Sequence, residues 1–157
     1  MLKSFRLNLL LFLFTVLFGL LVWFSQPSAP TLLTPIDPAT ISRIEISDLS
    51  GRHILLQKHN GIWRRENGIA RQARIEQLLG ICGTISLDNF PAPADLSIYA
   101  LDPAPIRLQL NDEILDFGAT DPIHGWRYVH YRDRVHLIAD GFYHHLSATQ
   151  DVWREAH

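Results

Sequence analysis

Eight histidines in 157 residues raise the question of metal chemistry. His130 and His136 are the pair best placed for it, because they flank a hairpin centred on Arg132-Asp133-Arg134. A two-residue turn at Arg132-Asp133 pairs His130 with Val135 and sends His136 to the opposite face. A three-residue loop pairs the two histidines directly. Only the second register brings the imidazoles together, and a zinc site would still need ligands such as His124, His144 or His145. None of the spacings matches a zinc signature, so no metal ligand is assigned and His130 and His136 stand as weak candidates. The carboxylates Asp112 and Glu113 are adjacent, so a strand points them to opposite faces and they cannot act together on one substrate. No serine sits in a Gly-x-Ser-x-Gly elbow, and glycine-rich phosphate loops are absent. No catalytic residue and no cofactor are therefore expected.

Two clusters suit recognition better than catalysis. Arg64, Arg65, Arg71 and Arg74 gather where a hairpin meets a helix, a candidate patch for lipid headgroups, wall polymer or an acidic partner. Trp126, Arg127, Tyr131, Arg132 and Arg134 combine the residue types enriched at interface hot spots. Trp126 and Tyr131 differ in parity, so at least one of them belongs to the core.

These residues must be carried by a small antiparallel domain. Ile44 and Ile46 alternate with Arg43 and Glu45, a half-buried strand. His53 to Lys58 returns, and Asn60-Gly61 turns the chain so that Lys58 faces Trp63, with Ile54 and Leu56 on that same core face. Ala70 to Cys82 predicts a helix, with Ile75, Leu78, Leu79 and Cys82 on one stripe and Gly83 as its stop. Cys82, the single cysteine, is expected to be a buried small hydrophobe. Phe90 to Pro105 reads as an ordered proline-rich connector. Beyond it, Ile106 opposes Phe117, Leu108 opposes Leu115 and Arg107 meets Asp116. Trp126–Tyr131 and Val135–Ala139 form the third hairpin, and Asp140 can cap a short helix through Leu146. The fold class is α+β. It has two successive units of strands followed by a helix, each with a tryptophan after a glycine (Gly61-Ile62-Trp63 and Gly125-Trp126), as an internal duplication would leave.

Leu7 to Phe24 contains eighteen residues without a charge, fourteen of them Leu, Phe or Val. As a helix it would cover about 27 Å, and insertion is favourable by roughly 4 to 8 kcal/mol. A cleaved signal peptide fits less well, because the run is long and Pro27 and Pro30 crowd a cut after Ala29. Lys3 and Arg6 precede the run, and no further Lys or Arg occurs until Arg43. Residues 1–6 are thus expected in the cytoplasm and 7–24 in the inner membrane of a bacterium. A tether with four prolines follows over 25–40, and residues 41–157 form a periplasmic domain. Twelve of the 14 cations and all 16 anions lie beyond the run, a balance of −4 that argues against nucleic acid as a partner.

The order of motifs resembles the bacterial domain of unknown function numbered 4340. It comprises Asn60-Gly61-Ile62-Trp63, an amphipathic helix, Tyr99-Ala100-Leu101-Asp102-Pro103, Leu115-Asp116-Phe117-Gly118, then Tyr128-Val129 and the Val135–Ala139 strand. The likeness runs from about Ile41 to Leu146. In that family the second motif usually reads Tyr-Gly-Leu-x-Pro, and here Ala100 stands for the glycine. The resemblance implies a membrane-anchored accessory role in the envelope, some members being encoded beside transporter components of the gliding-motility type. The expected partners are the bilayer and an envelope protein such as a transporter subunit. The alternative is a periplasmic domain that binds a metal or small ligand through surface histidines.

Overall fold

A computed structural model describes residues 11–19, 31–66 and 68–154. Residues 11–19 are helical (α1). Among the described residues no helix is long and apolar enough to cross a membrane. The remainder of the expected span, 7–10 and 20–24, lies outside the described residues, as do the segment 1–6, expected in the cytoplasm, and residues 25–30 of the expected tether.

The domain is α+β, as its periodicities indicate. Nine strands form one antiparallel sheet: β2 (Arg43–Asp48), β3 (His53–His59), β4 (Ile62–Arg65), β5 (Gly68–Ile69), β7 (Asp88–Pro91), β8 (Ile106–Leu110), β9 (Glu113–Thr120), β10 (Arg127–Tyr131) and β11 (Arg134–Ile138). Their spatial order is β5-β4-β3-β2-β8-β9-β10-β11-β7. A separate ribbon pairs β1 (Thr31–Leu32) with β6 (Ile85–Ser86). The expected registers hold. Lys58 lies opposite Trp63, Leu108 opposite Leu115 and Ile106 opposite Phe117. Arg107 holds Asp116 through two bonds of 2.6 and 2.9 Å.

Eight of the nine strands form two four-stranded meanders, and β7 adds to the edge at β11. β2 to β5 leads into helix α2 (Gln72–Leu79), and β8 to β11 leads into helix α3 (Tyr143–Leu146). Their first strands pair antiparallel, with Ile46 opposite Leu108. The two units therefore meet at β2 and β8 and run outward in the same strand order. Gly61 and Gly125 then fall in corresponding turns, both at positive φ (81° and 71°).

One face carries the main core. Ile44, Ile46, Ile54, Leu56, Trp63, Leu108, Leu110, Leu115, Phe117 and Val129 meet a layer of Ile75, Leu78, Ile81, Cys82, Leu146 and Trp153. Every one of these side chains is nearly inaccessible, and the layer supplies the apolar burial that drives the fold. Cys82 lies here as expected, its thiol pKa pushed up by burial.

Four expectations are corrected. The tether does not extend to residue 40. Leu33 and Thr34 are buried and β1 pairs with β6, because Leu33 joins the core layer. Helix α2 is shorter than Ala70–Cys82. Its α-helical turns end at Leu79 with Gly80 as the cap, and a 3-10 turn carries the chain through Gly83. The proline-rich connector opens as a strand: β7 pairs with β11, and Pro91 is tolerated because β7 is the sheet's edge. Asp140 does not cap the closing helix; its carboxylate is taken by Arg127.

The connector covers the second face of the sheet at the β9–β11 end. Phe90 packs on Tyr99 (5.4 Å between ring centroids) and Tyr99 on Tyr128 (4.7 Å). Leu101, Val135 and Leu137 are buried outside the main core cluster and form a minor core there. A 3-10 turn over Ser97–Tyr99 ends at Ala100, which adopts φ 53° and ψ 41°. The backbone thus takes a left-handed conformation at the position where the resembled family carries glycine, and alanine occupies it under strain. Ala100→Gly is expected to raise stability by about 0.5–1 kcal/mol, the relief of strain exceeding the added chain entropy of glycine. Urea melts of both forms measure it, and an equal or lower midpoint for the variant contradicts the argument.

Candidate functional site

The β10–β11 connection is the two-residue turn. His130 lies opposite Val135, and His136 lies opposite Val129 on the other face. His136 is buried, its Nδ1 2.9 Å from the Ser86 hydroxyl, whereas His130 is half-buried opposite Asp116. The two imidazoles cannot share a ligand, and among the described residues no group of three His, Cys, Asp or Glu could hold a metal ion. Alternation across a strand is the physical reason.

Burial lowers the pKa of His136, and the Arg134 cation adds to this; burial, His144 and Arg74 lower that of His145. Unfolding restores both to an ordinary value near 6.5. Between the depressed folded values and that value the unfolded chain binds more protons. Stability is therefore expected to fall as pH drops through this window and to level off below it. Denaturant melts from pH 7.5 to 5 test this, and His136→Gln should flatten part of the slope.

Trp126 lies just before β10, half-buried, with the His124 ring stacked on it at 4.3 Å. Tyr131 is the core member of that pair, 5% exposed. Asp121 anchors the turn: its Oδ2 accepts from the His124 backbone N–H (2.8 Å) and sits 2.9 Å from His124 Nδ1. These bonds, the backbone one foremost, lower the Asp121 pKa, while burial and the Asp121 charge raise that of Tyr128. The ionised Asp121 carboxylate thus locks the turn through His124.

The arginines of the two expected clusters are spread over the domain. Arg132 is exposed and binds Glu113 through two bonds, and Arg134 donates to Asn89 at 2.8 Å. Arg64 points to the solvent face of the sheet and Arg65, its neighbour, to the core face. Arg71 and Arg74 lie at the start of α2, away from the sheet's solvent face. Strand alternation splits Arg64 from Arg65, which adjacency in sequence conceals.

The solvent face of β2 to β5 is uncovered. A shallow groove there is lined by His53, Leu55, Gln57, His59 and Arg64. Ile62 and Ile69 flank it, 44% and 48% exposed. Glu45 sits at its side, 2.7 Å from His53 Nε2 and 2.7 Å from Arg43. These contacts, His53 first, hold the Glu45 carboxyl below its ordinary pKa, so it is ionised at neutral pH. The surface combines apolar area with paired charges and has no deep cavity, which suits a macromolecular partner better than a small molecule. Period-2 alternation made its outward residues readable in the sequence, but not which side of the sheet would lack a cover. Comparison with family models, with curated proteins and with solved structures gave no match.

Proposed function

We propose that the chain is a membrane-anchored, non-enzymatic accessory module of a bacterial envelope, which holds a small α+β domain beside the inner membrane to engage another envelope protein. The observation that carries the reading is the uncharged Leu7–Phe24 run behind Lys3 and Arg6. Its transfer to lipid is favourable, and the charge asymmetry keeps the cations inside. The motif order that resembles the 4340 family supports the same reading and points to a transporter subunit as partner. The open face of β2 to β5 supplies the engaging surface, with Ile62 and Ile69 as apolar contacts beside Arg64.

Two measurements test it. The chain should stay with membranes through alkaline carbonate washing, and recovery in osmotic-shock fluid would end the anchored reading. A photo-crosslinking residue at Ile62 should give a discrete adduct in native membranes, and one at Ile123 in the distal β9–β10 turn should not. Equal labelling from both, or none from Ile62, would reject the β2–β5 face as the engaging surface.

A further inference from the structure

Where α2 begins, the chain N-terminal to it, helix α3 and the C-terminal 3-10 turn (Gln150–Trp153) converge. Arg71 donates its backbone N–H to the Trp153 carbonyl (3.0 Å), and Ala70 bridges to Arg154. The Arg74 guanidinium lies over the Trp153 ring at 5.1 Å. The His144 and His145 rings touch, 3.8 Å between centroids. Arg74 is close enough to His145 for its charge to lower the imidazole pKa.

Two features mark this junction. The first is hydrogen bonding. Arg74 Nε, His145 Nδ1 and Trp153 Nε1 are buried atoms without a partner, and Trp153 is wholly inaccessible. Buried polar groups are nearly always satisfied, and three unpaired nitrogens on side chains grouped around Arg74 ask for an acceptor. The second is charge. Among the described residues, Arg71 is the charge that acts on Arg74, and His144 and Arg74 are those that act on His145, all cationic when ionised. Of the nearby acids, Asp151 faces Arg154 at 3.8 Å with its side chain 84% exposed, and Glu76 is exposed on α2. The start of α2 adds the positive end of a helix dipole, since Arg71 occupies the cap position without a side-chain bond. Among the described residues, unpaired donors and an excess of positive charge coincide.

The geometry points to a binding site for a phosphate oxyanion formed by Arg71, Arg74, His145 and Trp153. A tetrahedral oxyanion brings several acceptors to one point. It can take the guanidinium of Arg74 while drawing the imidazole and indole donors into the same network, and Arg71, exposed at the rim, supplies further charge. A backbone carbonyl or one water offers fewer acceptors and no negative charge. Two sources share the chemistry: free inorganic phosphate, and the phosphodiester of an anionic lipid headgroup. The inference stands apart from the proposed protein partner, whose surface is the solvent face of the sheet.

The test uses the full chain in a neutral maltoside detergent. It is titrated by calorimetry with inorganic phosphate in one arm and with short-chain phosphatidylglycerol in the other, while NMR follows the Trp153 indole N–H. Saturable binding in either arm, with the indole signal shifting in step, is the expected result. Arg74→Gln should weaken it at least about tenfold, and Arg71→Gln, at an exposed position that leaves the fold intact, by about threefold to tenfold. Arg132→Gln, on a distant turn, should leave it unchanged. Binding by phosphate alone identifies a soluble anion, and binding by the lipid alone identifies a headgroup. Absence of saturation by either ligand below about 10 mM, or binding that Arg71→Gln and Arg74→Gln leave intact, would overturn the inference.

Discussion

Gly118→Ala is expected to destabilise the domain by about 3 kcal/mol, at the upper end of what overpacking costs a core. Gly118 lies on β9, where the proline-rich connector crosses the sheet. A Cβ there would overlap the Tyr99 carbonyl oxygen and stand 2.9 Å from Leu101 Cγ. Neither neighbour yields easily. The Tyr99 oxygen is backbone, fixed by the 3-10 turn that ends at Ala100, and Leu101 is 3% exposed in the minor core. For a domain of roughly this size the loss corresponds to a fall in Tm of around 10 °C. Gly83→Ala, where a Cβ meets nothing within 4 Å, is the matched control and should change little. Thermal melts decide the matter: a Gly118→Ala midpoint within about 2 °C of the parent would show that the connector does not press on the sheet there.

The second large effect concerns Arg127. Its residue is 8% exposed, its guanidinium pairs with Asp140 through Nε and Nη2, and its Nη1 donates to the Gly118 carbonyl at 2.5 Å. The Tyr143 ring lies 3.5 Å from its Cζ. One cation thus ties β10 to β9 and to the closing helix. Arg127→Ala removes the pair, the stacking and a buried donor together, and should cost about 3–4 kcal/mol. Asp140→Ala should cost less, about 1–2 kcal/mol, because the carboxylate side chain is 36% exposed and water can replace it at the guanidinium. A double-mutant cycle by urea denaturation measures the coupling. Equal losses from the two single variants would show that the carboxylate, rather than packing on Tyr143 and Gly118, dominates.

Much of the sheet was legible beforehand because its information is local. Asn60-Gly61 specifies a tight turn, and its two-residue length fixes Lys58 against Trp63. Ile106, Leu108, Leu115 and Phe117 place an apolar face and the Arg107–Asp116 pair in one register. The order of two strand groups, each followed by a helix, was also visible, although Trp63 lies in the core and Trp126 before β10 does not. Less of the candidate sites was legible. Arg71 and Arg74 stood out as basic residues, and His145 as a spare ligand. Nothing in the spacing joined them to Trp153, about eighty residues on, because that contact depends on how the closing 3-10 turn docks beside α2.

What the chain determines by itself is its strands, its tight turns, one amphipathic helix and an uncharged apolar run before them, all set by side-chain periodicity and backbone preference over a few residues. Tertiary structure decided the rest. It chose the two-residue turn that parts His130 from His136, drew Leu33 and Thr34 into the core, and gave Asp140 to Arg127 instead of to a helix end. It left β2 to β5 bare on one side while the connector covered β9 to β11. Each outcome turns on which distant surfaces bury one another. That is settled by packing the whole molecule, because a register shift of one residue or a different cover reverses which side chains reach water.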